Sequence, residues 1–294
     1  MVRNPRVSRR MIEGYLFILP AVLVIAAFAL YPALRVAVDS VTAGELSGRA
    51  GTFVGLQNYQ TVLSERVFRT AIVNSVVFAT AAVILHIVLG LGLGLLFSGV
   101  GSERYERIAS ALLMLPWTIP PVVAAIIWRL LYQPALSPYP ALLSGLGVKV
   151  DWNFLANPDR AMWAVLAAYV WASAPFYFLM LMASLKAIPQ STIEASFIDG
   201  ASRWQQLKHI VLPQLRNPIL TMAVVSLLFS FTIYDTVWIM TGGGPLNTTE
   251  VMATNIYRTA FGNSHFELAS AMGGVMVAMM MVVIAALFAL MDRD

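Results

Sequence analysis

The 294 residues are 59% hydrophobic and only 12% charged, whereas an ordinary soluble domain is about 25% charged. Nineteen Lys and Arg with 15 Asp and Glu are too few to solvate a chain of this length, so a freely soluble globule is excluded and a bilayer must cover most of the surface. The absence of cysteine rules out disulfides, thiolate metal sites and cysteine nucleophiles, and the net charge of +4 is informative only by position.

Stretches free of Asp, Glu, Lys and Arg cover residues 14–34, 70–102, 108–128, 161–185, 217–234 and 268–291. Since about 20 helical residues cross a hydrocarbon core, each is read as a span. Asp235 interrupts the fifth, which resumes over 236–240, so the pattern predicts one helix over 214–240 with an acid near its end. Residues 130–148 are also free of charge, but Pro134, Pro138 and Pro140 would remove hydrogen bonds that lipid cannot replace. That stretch is read as a loop with short helical pieces. The expected fold is an all-α polytopic membrane protein with six transmembrane helices. Residues 1–13 form an N-terminal segment, 14–35 the first transmembrane helix and 70–291 a five-helix core containing a loop at 186–213.

Six crossings place both termini on one side of the membrane. That side carries Arg3, Arg6, Arg9, Arg10, Arg104, Arg107, Lys186, Arg203, Lys208, Arg216 and Arg293. The other carries Arg35, Arg49, Arg66, Arg69, Lys149, Arg160 and Arg258, with Arg129 near its interface, on longer loops. The positive-inside bias makes the termini cytoplasmic. Ser8-Arg9-Arg10 also fits a twin-arginine signal, but the apolar run behind it is longer than a signal core and five more spans follow. The outer loops, 36–69, 132–160 and 241–267, are too small for a separate domain. Most of the tryptophans fall near span ends, where interfacial anchoring accounts for them.

No phosphate-cradling GxxxxGK[ST] is present, because none of Lys149, Lys186 or Lys208 follows a glycine. Gly90, Gly92 and Gly94 lie inside an apolar helix and read as packing glycines. His86, His209 and His265 form no local ligand pair, which argues against a metal enzyme. Asn247-Thr248-Thr249 matches a glycosylation sequon and is read as loop chemistry. Energy for transport must then come from an ion gradient or a partner protein. His86 is nearly alone as an inner-span titratable group, so an ion-coupled carrier lacks an evident relay.

The loop at 186–213 is too apolar for a linker. Ser191 with Glu194 fits a capping box, Asp199-Gly200 a helix stop, and Ser202 with Gln205 a second capping box. The second helix presents Trp204, Leu207 and Val211 on one stripe and ends at Pro213. Physics alone leaves two readings: a hairpin lying in the headgroups, or a docking element for a cytosolic motor.

Glu194-Ala195-Ser196, Asp199-Gly200-Ala201, Ile210 and Leu212-Pro213 resemble the EAA motif of ABC importer permeases at every interval, with Ser196 in place of a second alanine and Leu207 in place of a common phenylalanine. The segments 53–59, Leu115-Pro116-Trp117, Trp128-Arg129, Trp171 with Pro175-Phe176 and Ile188-Pro189 resemble carbohydrate-uptake permeases, and Tyr234-Asp235 with 241–245 resembles their maltose first-subunit type, also seen in glycerol-phosphate and trehalose importers. The resemblance implies a permease subunit of an ATP-driven importer for a sugar or related solute. Its implied partners are a second, related permease subunit, two cytosolic ABC ATPase subunits and an external solute-binding protein, in a bacterial or archaeal plasma membrane. It implies no nucleic acid partner, no enzymatic activity and no cofactor on this chain, with ATP and Mg held by the ATPase.

By the same resemblance, Glu194, Ala195, Phe197, Ile198, Asp199, Gly200, Ala201, Trp204 and Leu207 are ATPase-coupling residues, and Ser230, Phe231, Tyr234, Asp235 and Trp238 are candidate solute contacts. Arg129 is the weak candidate for meeting a phosphorylated solute. The alternatives on composition alone are an ion-coupled secondary transporter and a non-transporting membrane scaffold.

Overall fold

The computed structural model describes residues 5–44, 51–98, 103–148 and 151–291. The charges at Arg3, Arg49, Lys149 and Arg293 lie outside the described residues, as do the side chains of Arg6, Arg9 and Arg10. The chain divides into two compact units, one comprising Met1–Ser64 with Ile256–Val277, the other Glu65–Asn255 with Ala278–Asp294.

In the first unit, α1 (Pro5–Ile25) runs through a π turn at Ala26–Leu30 into α2 (Tyr31–Asp39). The helix therefore begins well before residue 14. Its apolar stretch Gly14–Asp39 buries none of its side chains within the chain, so lipid or another protein must cover it. Two 2-residue strands follow, β1 (Thr42–Ala43) pairing antiparallel with β2 (Thr52–Phe53), a minor addition to an otherwise helical chain. The Asn58 amide on α3 (Gln57–Ser64) ties this turn down by donating to the carbonyls of Ser40 at 3.1 Å and Thr42 at 2.8 Å.

The second unit opens with α4 (Arg66–Ser98), followed by α5 (Glu103–Leu113), α6 (Leu115–Thr118), α7 (Pro121–Leu131) and the short α8 (Tyr139–Gly145). The stretch read from the sequence as a third span is thus broken into three pieces. Pro116 and the Pro120-Pro121 pair remove backbone donors and force Ile119 and Pro120 into extended conformations. Beyond the end of α7 at Leu131, residues 132–148 hold only α8, as the prolines there require.

Next come α9 (Ala161–Lys186), α10 (Gln190–Ile198), α11 (Arg203–Gln206), a π turn at Leu207–Val211, α12 (Leu212–Gln214), α13 (Arg216–Phe231) and α14 (Asp235–Met240). The single helix expected over 214–240 is corrected to two. At the end of α13 the Thr232 hydroxyl donates back to the Leu228 carbonyl at 2.9 Å, Tyr234 leaves the helical range at φ −123°, and Asp235 opens α14, where a carboxylate suits the helix N-terminus. Pro213 does not end the preceding helix either. It sits in the first turn of α12, and the chain bends by 64° between Arg203–Gln214 and Arg216–Phe231. The remaining helices are α15 (Met252–Tyr257) and α16 (Phe266–Met291).

Among the described residues four helices are long and apolar enough to cross a membrane, or five if the bent pair is one span. They form a mostly helical, multi-pass membrane protein.

The core of the second unit lies where α4 packs along α9. Gly90 and Gly94, four residues apart, create that contact. A Cβ on Gly90 would stand 3.0 Å from the Tyr177 carbonyl carbon and 3.1 Å from the Phe178 nitrogen, and one on Gly94 2.9 Å from the Leu185 side chain. Small residues at this spacing let two membrane helices approach to backbone contact. Gly92, facing open space, takes no part.

Farther along α4, the Asn74 amide donates to the carbonyls of Thr248 and Glu250 at 3.1 and 2.9 Å, and the Ser75 hydroxyl accepts the Met252 N–H at 2.8 Å. The sequon is thereby held as a structured loop, with Thr249 fully buried. Asn74→Ala leaves those carbonyls without this donor, so the loop should lose about 1–3 kcal/mol of local stability. Faster amide exchange confined to residues 247–255 is the expected readout.

Candidate solute cavity and cytoplasmic-type loop

A cavity of about 530 Å³ opens within the second unit. Its walls are Trp117 at the end of α6, Ala124 and Ala125 of α7, Tyr169, Ala172, Ser173 and Tyr177 of α9, Phe229 of α13, and residues 232–236 at the break before α14. Both helix breaks therefore face it. Irregular backbone is tolerated at membrane depth only where protein or a water-filled space satisfies it, so the breaks and the cavity explain each other. Aromatic faces with a few hydroxyls suit a ring that carries both C–H faces and polar groups. Among the described residues lining the cavity, Asp235 is the one charged group, and no basic side chain reaches it.

The five residues singled out for solute contact divide. Tyr234 and Asp235 line the cavity, and Tyr234 stacks on Trp238 at 5.6 Å, so Trp238 stands behind it. Ser230 and Phe231 do not line it. Both are buried, and the Ser230 hydroxyl meets the Tyr169 hydroxyl at 3.2 Å. Trp117, Tyr169, Ser173 and Tyr177 were missed by sequence reasoning. Trp117 signals itself only as an aromatic beside a proline, and the other three are spaced at helical intervals on a face that the nearly uniform apolar pattern of α9 conceals.

Arg129 lies elsewhere. It lines a separate cavity with Gln133 and Asn153, and donates to the Ile239 carbonyl at 3.1 Å, where a cation suits the end of α14. Beside it, burial pushes the Tyr132 hydroxyl up to about 12, so the phenol stays neutral. Among the described residues no group of His, Asp and Glu could hold a metal ion.

In the loop, α10 starts two residues earlier than expected. Pro189 is the N-cap and Ser191 lies inside the first turn without capping it, which corrects the first capping box. The second box forms as expected, with Ser202 and Gln205 each serving the other's backbone N–H. Between them Gly200 has φ +79°, its N–H donates to the Phe197 carbonyl at 3.1 Å, and the Ala201 N–H reaches the Ser196 carbonyl at 3.0 Å. These are the paired bonds of a Schellman stop. Ser196 is buried and accepts from the Gln206 amide at 3.1 Å, bracing one short helix against the other. Lys186 pairs with Glu106 at the end of α9. Glu194 and Gly200 are exposed. The apolar side chains Phe197, Ile198 and Trp204 are 76%, 85% and 68% exposed.

Comparison with known proteins agrees with this architecture. Residues 86–294 match the family described as binding-protein-dependent transport system inner membrane component. The chain is 34% identical over 249 residues to the trehalose/maltose transport system permease protein MalF of Thermococcus litoralis, covering 83% of each. It is 31% identical over 272 residues to the sn-glycerol-3-phosphate transport system permease protein UgpA of Yersinia enterocolitica, covering 92% of this chain and 90% of that one. A chain from the crystal structure of a bacterial alginate ABC transporter, solved in complex with an alginate pentasaccharide-bound periplasmic protein, superposes with a TM-score of 0.86 over 99% of this chain and 98% of its own at 20% identity. A chain of the MetNI methionine ABC transporter superposes less well, with a TM-score of 0.55 over 76% of this chain. A match through most of the chain, joined to a shared fold, places this protein in the family of inner membrane permease components of binding-protein-dependent transport systems.

Proposed function

We propose that the chain is the permease subunit of an ATP-driven importer of an uncharged carbohydrate. The observation that carries this reading is the aromatic, hydroxyl-bearing cavity with Asp235 as its single charge. A phosphorylated solute would meet an acid there and no cation, which favours the substrate class named for the trehalose/maltose relative over that named for UgpA. Tyr234 and Asp235 are the solute contacts retained from the sequence, joined by Trp117, Tyr169 and Ser173, while Ser230, Phe231 and Trp238 support the wall.

Six crossings follow if the broken α5–α7 segment counts as one span and α13 with α14 as another. Both termini are then cytoplasmic. Residues 186–213 form the EAA coupling loop, seated in an ATPase subunit through Glu194, Phe197, Ile198 and Trp204. The exposure of those apolar side chains supports this, because water is a poor neighbour for them. The complete transporter holds a second, related permease, two cytosolic ATPases that bind ATP and Mg, and an external binding protein. Lipid covers the spans, and the chain itself binds no cofactor.

Ala172→Trp tests the cavity. Ala172 lines it, so the indole should occupy solute volume and lower uptake at least about tenfold while the subunits still co-purify. In proteoliposomes with the binding protein, wild type should take up maltose or trehalose in preference to sn-glycerol-3-phosphate. Normal uptake by Ala172→Trp, or preference for the phosphate, would overturn the assignment.

A further inference from the structure

Behind the cavity wall sits a fully buried histidine that the transport reading leaves unused. His86 of α4 has its Nε2 2.7 Å from the Ser173 hydroxyl of α9 and its Nδ1 2.8 Å from the Ser226 hydroxyl of α13, and its ring stacks on Tyr177 at 4.1 Å. One side chain thus joins three helices. Ser226 is also hydrogen-bonded to the Tyr177 side chain, and giving each hydroxyl its one hydrogen assigns the directions around the ring. The Ser173 hydroxyl owns one hydrogen and donates it to the Tyr169 carbonyl at 2.7 Å, so toward His86 it can only accept. The hydrogen of the imidazole is therefore on Nε2. Among the described residues no carboxylate bonds the ring, and an unpaired buried imidazolium is costly, so the ring is neutral and Nδ1 accepts from Ser226.

We infer that His86 is a positioning residue for solute recognition. As a neutral Nε2–H donor it holds in place the Ser173 hydroxyl of the cavity wall, whose own hydrogen the Tyr169 carbonyl already takes, and it links that wall to α13. The inference rests on the cavity being the solute site. Ser173 can then offer an approaching solute only acceptor capacity, which suits a hydroxyl donor and discriminates against a group that can only accept. Ser226 and Ser230 lie four residues apart on α13, and Ser230 meets Tyr169 of the same wall, so two wall residues are tied to α13 through separate hydroxyls. This helix is the one that runs back through the 64° bend into the loop at 186–213.

The test uses the complete transporter in nanodiscs, with maltose and trehalose as probes in the presence of the binding protein. His86→Phe keeps a flat ring against Tyr177 and removes both hydrogen bonds. His86→Gln can still donate to Ser173 and accept from Ser226. Sugar-stimulated ATP hydrolysis should fall about tenfold in His86→Phe, the effect of losing a bond of ordinary strength in the loaded state. Basal hydrolysis and complex assembly should persist, and His86→Gln should recover most of the stimulation. Wild-type behaviour of His86→Phe, equal failure of the two variants, or parallel loss of basal hydrolysis would each overturn the inference.

A second measurement needs no solute. Nitrogen-15 spectra of histidine-labelled complex, with the His86 signals identified by their absence in His86→Gln, should show a neutral ring protonated on Nε2. A charged ring or the Nδ1–H tautomer would overturn the positioning role even if both sugars stimulate hydrolysis. If neither sugar stimulates wild type while the spectra show the expected tautomer, it is the assignment of the solute that falls.

Discussion

Gly200→Pro is expected to abolish solute-driven ATP hydrolysis while leaving the membrane part folded. Proline holds φ near −65°, whereas Gly200 sits at +79° and its N–H makes one of the two bonds that stop α10. The variant cannot form that stop, so α10 and α11 lose their fixed angle, and Phe197, Ile198 and Trp204 no longer meet a partner as one surface. Uptake in proteoliposomes should fall by at least about hundredfold, since no side-chain adjustment restores a forbidden backbone angle. Affinity co-purification should show the ATPase lost or bound without stimulation. Gly200→Ala is the graded companion. No atom lies within 4 Å of its Cβ position, so only the backbone strain of about 1–2 kcal/mol remains, and partial activity is expected. Normal transport by Gly200→Pro would end the coupling assignment for this loop.

Gly90→Leu is expected to prevent the protein from accumulating in folded form. The atoms facing Gly90 include the Tyr177 carbonyl carbon and the Phe178 nitrogen, backbone of a neighbouring helix that cannot rotate aside. To admit the side chain, α4 and α9 must separate along their shared core, and the cost exceeds the about 1–3 kcal/mol of ordinary overpacking. A fall in the monodisperse fraction by fluorescence size-exclusion chromatography, together with a lowered melting temperature, would record it. Gly92→Leu is the control and should be close to neutral, because that position faces open space.

How far the sequence could be read depends on what kind of signal each feature leaves. Membrane insertion, the long helices and the second capping box were legible, because charge-free length, Ser202 and Gln205 act locally. Packing by Gly90 and Gly94 was legible as a type, and only the structure separates them from Gly92. The broken third span was written in Pro116, Pro120 and Pro121, and the proline rule that excludes 130–148 as a span applies to it equally. The break at residues 232–234 carries neither proline nor glycine. It shows only in the backbone, where Tyr234 leaves the helical range at φ −123°, and no periodicity reveals it.

The same reason explains the cavity. Tyr234 and Asp235 stand at a break and announce themselves by polarity, whereas Tyr169, Ser173 and His86 lie in helices whose apolar neighbours hide which face turns inward. Long-range pairing of α4, α9 and α13 put those three together, and one chain's letters do not state it.

The exposed trio at the loop also bears on supply within the cell. If the loop seats in an ATPase as proposed, a copy without that partner leaves Phe197, Ile198 and Trp204 exposed, a patch of the kind that proteases and chaperones engage. On that proposal lone copies should be removed, and the amount of this subunit that persists should be set by how much ATPase is synthesised alongside it. The surface that recruits the motor would then also keep the stoichiometry of the assembly.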